Sequence, residues 1–399
     1  LDLDGKWDTG CCERGKAVAD FGGADRGRAL VRQLDGKLVV AGTVDSGGST
    51  NFGVARFTDT GTLDQFFDGD GKVITDFAGS ADNATGVTMG PGGSIVVSGY
   101  TFTASGNNLA LVRYTSNGAL DGSFGAGGKV TADYSGMSEY GRALISVSDD
   151  RLFVVGDMLT VAGSDFLVAR FNSNGSLDTT FNGDGWAITN LYGSYDQAMA
   201  AALQADGKLV LAGTVNDGSG ADIGLARYSS NGTLDTSFDS DGKAVTSVNG
   251  YDEAVHAILV QADGRLLVAG AVNNGLDDDF ALLRYNWNGS LDTLFGVGGL
   301  VVADYGIDAD IAYAAVLLPD GKIVLAGQAE TGSSQDFALL RVNPDGSPDT
   351  TFGSGGWVVT DFNGGDDGAR AIILMEDGRL VVAGVAANGA TTDFAVARY

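Results

Sequence analysis

The sequence predicts an all-β fold, a seven-bladed β-propeller of four-stranded antiparallel blades. Three observations carry that prediction. The first is a period. A Val-Val-Ala-Gly string ends at Gly42, and relatives of it end at Gly99, Gly156, Gly213, Gly270, Gly327 and Gly384, always 57 residues apart. An arginine in an apolar setting keeps the same interval at Arg56, Arg113, Arg170, Arg227, Arg284, Arg341 and Arg398. The 399 residues are thus seven units filling one domain, residues 1–399, with no separate linker. The second observation is that each unit reads as short strands, with no competing helical period. The third is that the two ends complement each other.

The chain opens with Lys16-Ala17-Val18-Ala19-Asp20-Phe21, which matches the fourth strand of the other units. It ends on Asp393-Phe-Ala-Val-Ala-Arg-Tyr399, a third strand with no fourth after it. The N-terminal strand is therefore expected to close the last blade. In the first full unit the strands fall at 28–33, 37–44, 52–57 and 72–77. Leu34-Asp35-Gly36 joins the first two, and an Asp-Gly turn between β-branched runs signals a hairpin. The second strand is apolar at Leu38, Val39, Val40 and Ala41 in succession, so it is buried on both faces. A sheet covered on both faces needs neighbours on both sides, which radial packing supplies. A right-handed β-solenoid is the alternative, although its repeats are usually shorter. An open array would also need polar capping repeats, and the sequence offers none.

The unit Asn-Gly-Ser-Leu-Asp-Thr-Thr-Phe-Asn-Gly-Asp-Gly-Trp-Ala-Ile-Thr, followed by Ala-Asp-Gly-Lys-Leu-Val-Leu-Ala-Gly and Ala-Arg-Tyr (174–228), resembles the bacterial delta-60 repeat. The resemblance spans essentially the whole chain. It implies a propeller and a secreted or cell-surface location, and it implies no activity. The first unit departs from the pattern, with Trp7-Asp8-Thr9-Gly10-Cys11 where others read Leu-Asp-Thr-Thr-Phe. The chain begins at Leu1 without a methionine, so it reads as a processed or trimmed segment in which any export signal is invisible.

Composition narrows the partners. With 51 acidic against 24 basic residues the formal charge is −27, which repels nucleic-acid phosphates and anionic lipid and favours cations. No apolar run approaches the roughly 18 residues of a membrane span. Cys11 and Cys12 are adjacent, so they form a strained vicinal disulfide or stay free, and no disulfide framework exists.

A residue present in every unit faces seven equivalent environments and is expected to hold blades together. The aspartates Asp8, Asp64, Asp121, Asp178, Asp235, Asp292 and Asp349 follow the third strand at a fixed interval. Strand direction puts them at the rim where the repeating arginines end, so an Arg–Asp contact is expected in most blades. A second ring of acids precedes each innermost strand: Asp25, Asp82, Glu139, Asp196, Glu253, Asp310 and Asp367. The preceding strand often ends in another acid (Asp20, Asp76, Asp133, Asp304, Asp361), with Asn190 and Ser247 as exceptions. The third strand opens with Asn51, Asn108, Asp165, Asp222, Asp279, Asp336 or Asp393. Antiparallel order brings these three positions to one face. They read either as loop caps accepting backbone N–H bonds or as hard oxygen ligands for calcium, with the second ring as the candidate ligands. The Asp68-Gly-Asp70-Gly, Asn182-Gly-Asp184-Gly and Asp239-Ser-Asp241-Gly turns resemble only fragments of calcium loops and read as glycine turns. The run Asp277-Asp278-Asp279 reads as a solvated loop.

Specific binding must break the sevenfold equivalence. Three residues past the second acid ring stand Arg28, Thr85, Arg142, Met199, His256, Tyr313 and Arg370, each followed by Ala or Gly. These are expected at the mouth of the central channel. The arginines there either neutralise the acid ring or, with Tyr140, Tyr195, Tyr251 and Tyr313, form a polar-aromatic site for a sugar or a peptide end. His256 is the sole histidine, no Gly-x-Ser-x-Gly elbow or Gly-rich phosphate loop occurs, and His/Cys zinc clusters are missing. The sequence therefore points away from an enzyme. It points to an extracellular or cell-surface interaction module, stabilised by calcium and without an organic cofactor, that meets a protein or glycan through its acidic face. The alternatives are a lectin-like glycan-binding propeller and a carboxylate- or calcium-dependent hydrolase or lyase at the channel mouth.

Overall fold

The computed structural model describes residues 15–77, 81–216, 218, 220–248, 250–306, 308–332 and 334–399. Cys11, Cys12, Asp8 and the atypical Trp7–Cys11 turn lie outside the described residues. Blade 1 consists of strands Arg26–Arg32, Leu38–Asp45, Thr50–Phe57 and Lys72–Thr75, paired antiparallel in that order. Blades 2 to 7 repeat this plan from their inner strands Asp82–Met89, Ser138–Ser146, Tyr195–Leu203, Glu253–Val260, Ile311–Leu317 and Gly368–Leu374. Blades 3 and 4 share one parallel bridge, Ser164 to Tyr195.

Closure follows the predicted route. Lys16–Ala19 pairs antiparallel with the third strand of blade 7, with Lys16 opposite Ala397 and Ala19 opposite Phe394. Inner strands touch in sequence from blade 1 to blade 7, and that of blade 7 touches blade 1 again. The outer strands are shorter than the sequence suggests, ending at Thr75 rather than residue 77 in blade 1. The physical reason lies in the next loop. Phe77 turns its N–H 2.8 Å from Asp82 Oδ2, and Phe21 does the same toward Asp25 at 2.7 Å, so the chain leaves the ladder for the neighbouring blade.

The second and third strands are buried almost throughout, as continuous apolar runs require. Their side chains fill seven inter-blade cores; the one between blades 7 and 1 joins Ala19, Leu30, Val40 and Phe57 to Val381, Phe394 and Val396. At one face, a repeating arginine ties each blade to the next. Its Nε lies 2.7–2.8 Å from the aspartate predicted to meet it in all six described pairs, from Arg56–Asp64 to Arg341–Asp349. One terminal nitrogen also donates across the blade junction, Arg170 to Ser230 O at 2.6 Å and Arg284 to Pro344 O at 2.8 Å. The guanidinium lies over a phenylalanine, 4.7 Å from the Phe238 ring centre for Arg227. The Asp-Gly turns at this rim are ordinary caps: Asp70, Asp184 and Asp241 each accept the N–H two residues on, at 2.9 Å.

Candidate functional site

The opposite face carries both candidate features, the acid ring and the channel mouth. Each inter-blade loop there starts with an acid, an amide or, at Ser247, a hydroxyl, followed by an aromatic or aliphatic residue. The aromatic packs on the third strand, as in Phe21 on Phe394 at 5.0 Å and Phe362 on Phe337 at 4.9 Å. That anchor aims its N–H at the ring acid: Leu191, Tyr305 and Phe362 donate to Asp196, Asp310 and Asp367, each at 2.6 Å. All seven ring acids are at most 2% exposed. Loop capping is therefore one of their roles.

At three junctions the predicted triple of positions becomes three aspartates with carboxylate oxygens within 4.8 Å of one another. These are Asp279, Asp304 and Asp310 between blades 5 and 6, Asp336, Asp361 and Asp367 between blades 6 and 7, and Asp20, Asp25 and Asp393 between blades 7 and 1. The three junctions are consecutive, so the carboxylates crowd one sector of the disc. Within each cluster the third-strand aspartate is held by one oxygen only. Asn274 donates to Asp279 Oδ2 at 3.0 Å, Asn388 to Asp393 Oδ2 at 2.8 Å, and the Thr331 hydroxyl to Asp336 Oδ2. The other oxygen, Oδ1 of Asp279, Asp336 and Asp393, is buried without a hydrogen-bond partner. A buried orphan oxygen calls for a partner, which a proton, a cation or an ordered water supplies. Hard carboxylate oxygens in threes suit calcium, with water or carbonyls completing the shell. Elsewhere the set is diluted. Between blades 3 and 4 the Asn190 amide donates to Asp165 Oδ1 at 2.9 Å, a neutral donor where a cation would sit.

These carboxylates raise one another's proton affinity, but only as a secondary effect. Burial is the main force lifting Asp310 and Asp367 to about 6, and the neighbouring aspartates add to it. Asp279 is buried, so the Asp277–Asp279 run is not the solvated loop its charge suggests. Glu139 and Glu253 complete no such cluster. Burial, reinforced by Asp133 and by Asp222 and Asp252 respectively, pushes each up to about 8. A carboxyl raised in the folded state contributes stability that is intact below the unfolded carboxylate range and lost as pH climbs toward 8. Glu253→Gln is accordingly expected to match the parent near pH 4. At pH 9 it should exceed the parent's unfolding free energy by roughly 1–3 kcal/mol. Denaturant melts at both pH values check this, and a pH-independent difference would contradict it.

The channel mouth is built by a device that the sequence reading missed. Every inner strand carries a β-bulge at the variable residue, between Gly27 and Ala29, Ala84 and Gly86, Gly141 and Ala143, and so on to Ala369 and Ala371. A bulge re-aims its extra side chain. The glycine closing each Val-Val-Ala-Gly string sits opposite. A Cβ on Gly42 would lie 2.0 Å from Arg26 O, and one on Gly156 would lie 1.8 Å from Tyr140 O. The repeated glycine thus makes room for the bulged backbone.

Arg28, Thr85, Arg142, Met199, His256, Tyr313 and Arg370 line one axial cavity of about 320 Å³, with the small residues after them. Tyr140 packs beside this wall, 5.2 Å from Tyr100, and the Arg142 guanidinium lies 5.4 Å from its ring. Tyr195 and Tyr251 are not part of the lining; they stand 54% and 46% exposed at the face itself. The arginines do not neutralise the acid ring. Arg142 Nε pairs with Asp157 at 2.9 Å, while Arg370 donates to Gln328 at 3.2 Å and covers Tyr313 at 3.6 Å. Asp157 and Gln328 follow the motif glycine, a second variable ring that reads Thr43, Tyr100, Asp157, Thr214, Ala271, Gln328 and Val385. His256 lies 4.7 Å from the Tyr313 ring, and burial, with Arg370 adding, lowers it to about 4. It is neutral at pH 7. A groove of about 880 Å³ lies on the outer wall beside Leu294, Val297 and Leu300; Asp345 is its one titratable lining residue.

A family model described as a domain of unknown function (DUF5122) beta-propeller matches residues 33–67, 91–124, 148–181, 204–238, 261–295, 318–352 and 376–399. No curated protein matches the chain in sequence. Among solved structures the chain is similar to the polysaccharide lyase Uly1, at 11% identity and a TM-score of 0.53, over 99% of this chain and 96% of that one. It is similar to Drosophila Semaphorin 2a at 8% identity and a TM-score of 0.55, over 99% and 76%. A PL25 ulvan lyase bound to -[GlcA(1-4)Rha3S]- gives 11% identity and a TM-score of 0.52, over 94% of each chain. Identities this low bear on the fold alone. Among the described residues no helix is long and apolar enough to cross a membrane. With one match in each of its seven units, together more than half its length, the chain belongs to the DUF5122 beta-propeller family.

Proposed function

We propose that the chain is a non-enzymatic, extracellular or cell-surface binding module of the delta-60 repeat kind, with calcium stabilising its acidic face. One observation carries the reading: three consecutive junctions each hold three aspartates, one of them with a buried, unpartnered oxygen. Sites of this kind, open on one side and few in protein ligands, suit the roughly 10⁻⁴–10⁻³ M calcium affinities of extracellular modules. The partner, a protein or a glycan, meets the same face, where Tyr192, Tyr195, Tyr251 and Tyr305 stand exposed and offer flat amphipathic contact area.

The junction between blades 5 and 6 is the sharpest test. At the other two, Lys72 and Lys16 reach the Asp20 and Asp361 carbonyls; here Trp357 occupies the lysine's position in the repeat. Calcium at about a hundred times its dissociation constant should add about 2.7 kcal/mol per site. The melting temperature is expected to rise with calcium, to fall back with chelator, and to respond less in Asp304→Asn, whose side chain lies in an exposed loop position. An identical melt in calcium and chelator removes the proposal.

A second reading, a polysaccharide lyase acting at the channel mouth, draws on one local observation. A neutral histidine, a phenol and a guanidinium meet there as His256, Tyr313 and Arg370, groups suited to moving a proton beside a carboxylate. Ultraviolet-absorbing unsaturated products from an acidic polysaccharide, lost in His256→Ala, would favour it over the binding module.

A further inference from the structure

We propose that the channel mouth at blades 7 and 1 binds a hydroxylated carboxylate, a sugar acid or a molecule of that size and chemistry. The inference rests on the binding-module reading and names the ligand chemistry of one site. Beside the axial cavity, and sharing Arg28 and Arg370 with it, lies a second cavity of about 310 Å³. Its walls include Arg26, Arg28, Arg370, Gln328, Gln335 and Thr392. Three guanidinium groups therefore converge on a space of monosaccharide size, in a chain whose formal charge is −27.

Two carboxylates face the three arginines, and neither makes an ion pair with any of them among the described residues. Asp367 lines the cavity but accepts Phe362 N–H at 2.6 Å and Ala387 N–H at 2.9 Å, one on each oxygen. Asp366 also lines it and accepts Gln335 N–H at 3.1 Å. Arg370 spends its contacts on the Gln328 amide and the Tyr313 ring, both neutral. Arg28 has no hydrogen bond or ion pair among the described residues. Burial lowers its affinity for its own proton, the nearby cations Arg370, Arg26 and Arg142 lower it further, and the Tyr100 phenol opposes them. Three arginines outnumber the two carboxylates and repel one another, and an anion between them relieves that repulsion.

The residue types select the anion. A guanidinium presents a planar fork that matches a carboxylate with two parallel N–H···O bonds. The Gln328 and Gln335 amides and the Thr392 hydroxyl supply donors and acceptors suited to hydroxyl groups on the rest of the ligand. Bulges set the arrangement. Arg28 and Arg370 are the bulged residues of adjacent inner strands, so both project toward the axis rather than into the inter-blade core. A third bulged arginine, Arg142, lies on blade 3 outside this cavity and is paired with Asp157.

Calorimetric titration with D-gluconate, sorbitol and acetate, on protein stripped of calcium over a chelating resin and free of soluble chelator, tests this. Gluconate is expected to bind, sorbitol to fail, and acetate to bind at least tenfold more weakly. Arg28→Gln should weaken gluconate at least tenfold, and Arg151→Gln, at the opposite face, should leave it unchanged. Arg28 makes no hydrogen bond or ion pair among the described residues and is repelled by its arginine neighbours, so its variant should melt no lower than the parent. Sorbitol binding as well as gluconate, no gluconate binding, or unchanged affinity in Arg28→Gln overturns the assignment. Calcium-dependent melting of the same samples separates the two claims: if it persists while gluconate fails to bind, only the anion site falls.

Discussion

Arg227→Ala is expected to lower the unfolding free energy by about 3–5 kcal/mol, the cost of removing one partner from a buried ion pair. Arg227 is 2% exposed and makes four separate contacts. Its Nε meets Asp235 Oδ2 at 2.8 Å, one terminal nitrogen donates to Trp287 O on the next blade at 2.5 Å, and the other donates to Ser237 at 3.0 Å. Its guanidinium also covers Phe238 at 4.7 Å. Burial opposes the charge on Asp235, but hydrogen bonds from Ser237 and Lys208 and the Arg227 charge outweigh it and hold the carboxyl well below the usual range. Removing Arg227 leaves a carboxylate with Lys208 at 3.1 Å as its sole cation, and a carbonyl at the blade junction with no donor. Arg227→Lys keeps the charge but cannot serve the aspartate, serine and carbonyl together, so it should fall between parent and alanine variant. Arg265→Ala is the control. That side chain is 39% exposed, and its pair with Asp263 and its longer contact to Asp292 at 3.4 Å should together contribute less than about 1 kcal/mol. Denaturant melts rank the three variants. A loss under about 1 kcal/mol for Arg227→Ala would falsify the view that these arginines fasten blade to blade.

The same arginines show what sequence can reveal. Their period and their aspartate partners were legible because both follow from strand direction within one unit. The bond from Arg227 to Trp287 was not, since a carbonyl carries no sequence signal and the contact crosses to the next unit. The acid ring divides in the same way. That Asp279, Asp304 and Asp310 share a face is a consequence of antiparallel order. That Asp279 ends with one oxygen orphaned depends on Asn274 having captured the other, which only coordinates reveal. At the channel, alternation alone would send Arg28 and Ala29 to opposite sides. The bulge lets the strand aim Arg28 at the axis, and its signature was present as the glycine of Val-Val-Ala-Gly, read only as a ruler for the period. Asp157 was equally visible, one residue beyond that glycine. Its meaning depended on knowing that it faces Arg142 across the first and second strands of blade 3.

Deleting residues 1–24 is expected to destabilise the ring by about 4–6 kcal/mol and to leave it prone to association. Lys16–Ala19 is the outer strand of blade 7, four residues in register with Phe394–Ala397. Backbone ladder bonds contribute about 1 kcal/mol each. Phe21, partly buried, adds an aromatic contact on Phe394 at 5.0 Å, worth about 0.5–1.5 kcal/mol. Ala19 is 1% exposed within the core joining blades 7 and 1, so its loss also opens that core. The strand Thr391–Arg398 would then present unpaired N–H and C=O groups along a flat apolar edge, the template on which a second chain adds. The damage should not stop at one blade, because every inter-blade core needs a sheet on each side and the ring between blades 7 and 1 is closed by the pairing of chain ends. A peptide covering residues 15–25 supplied in trans is expected to bind the truncated chain and restore its melting temperature, since nothing covalent holds the described strand in place beyond its own backbone. A scrambled peptide of the same composition should not. If the truncated chain melts as the parent does and stays monomeric, the closing strand is dispensable and the ring must be held by its inter-blade cores and arginine ties alone.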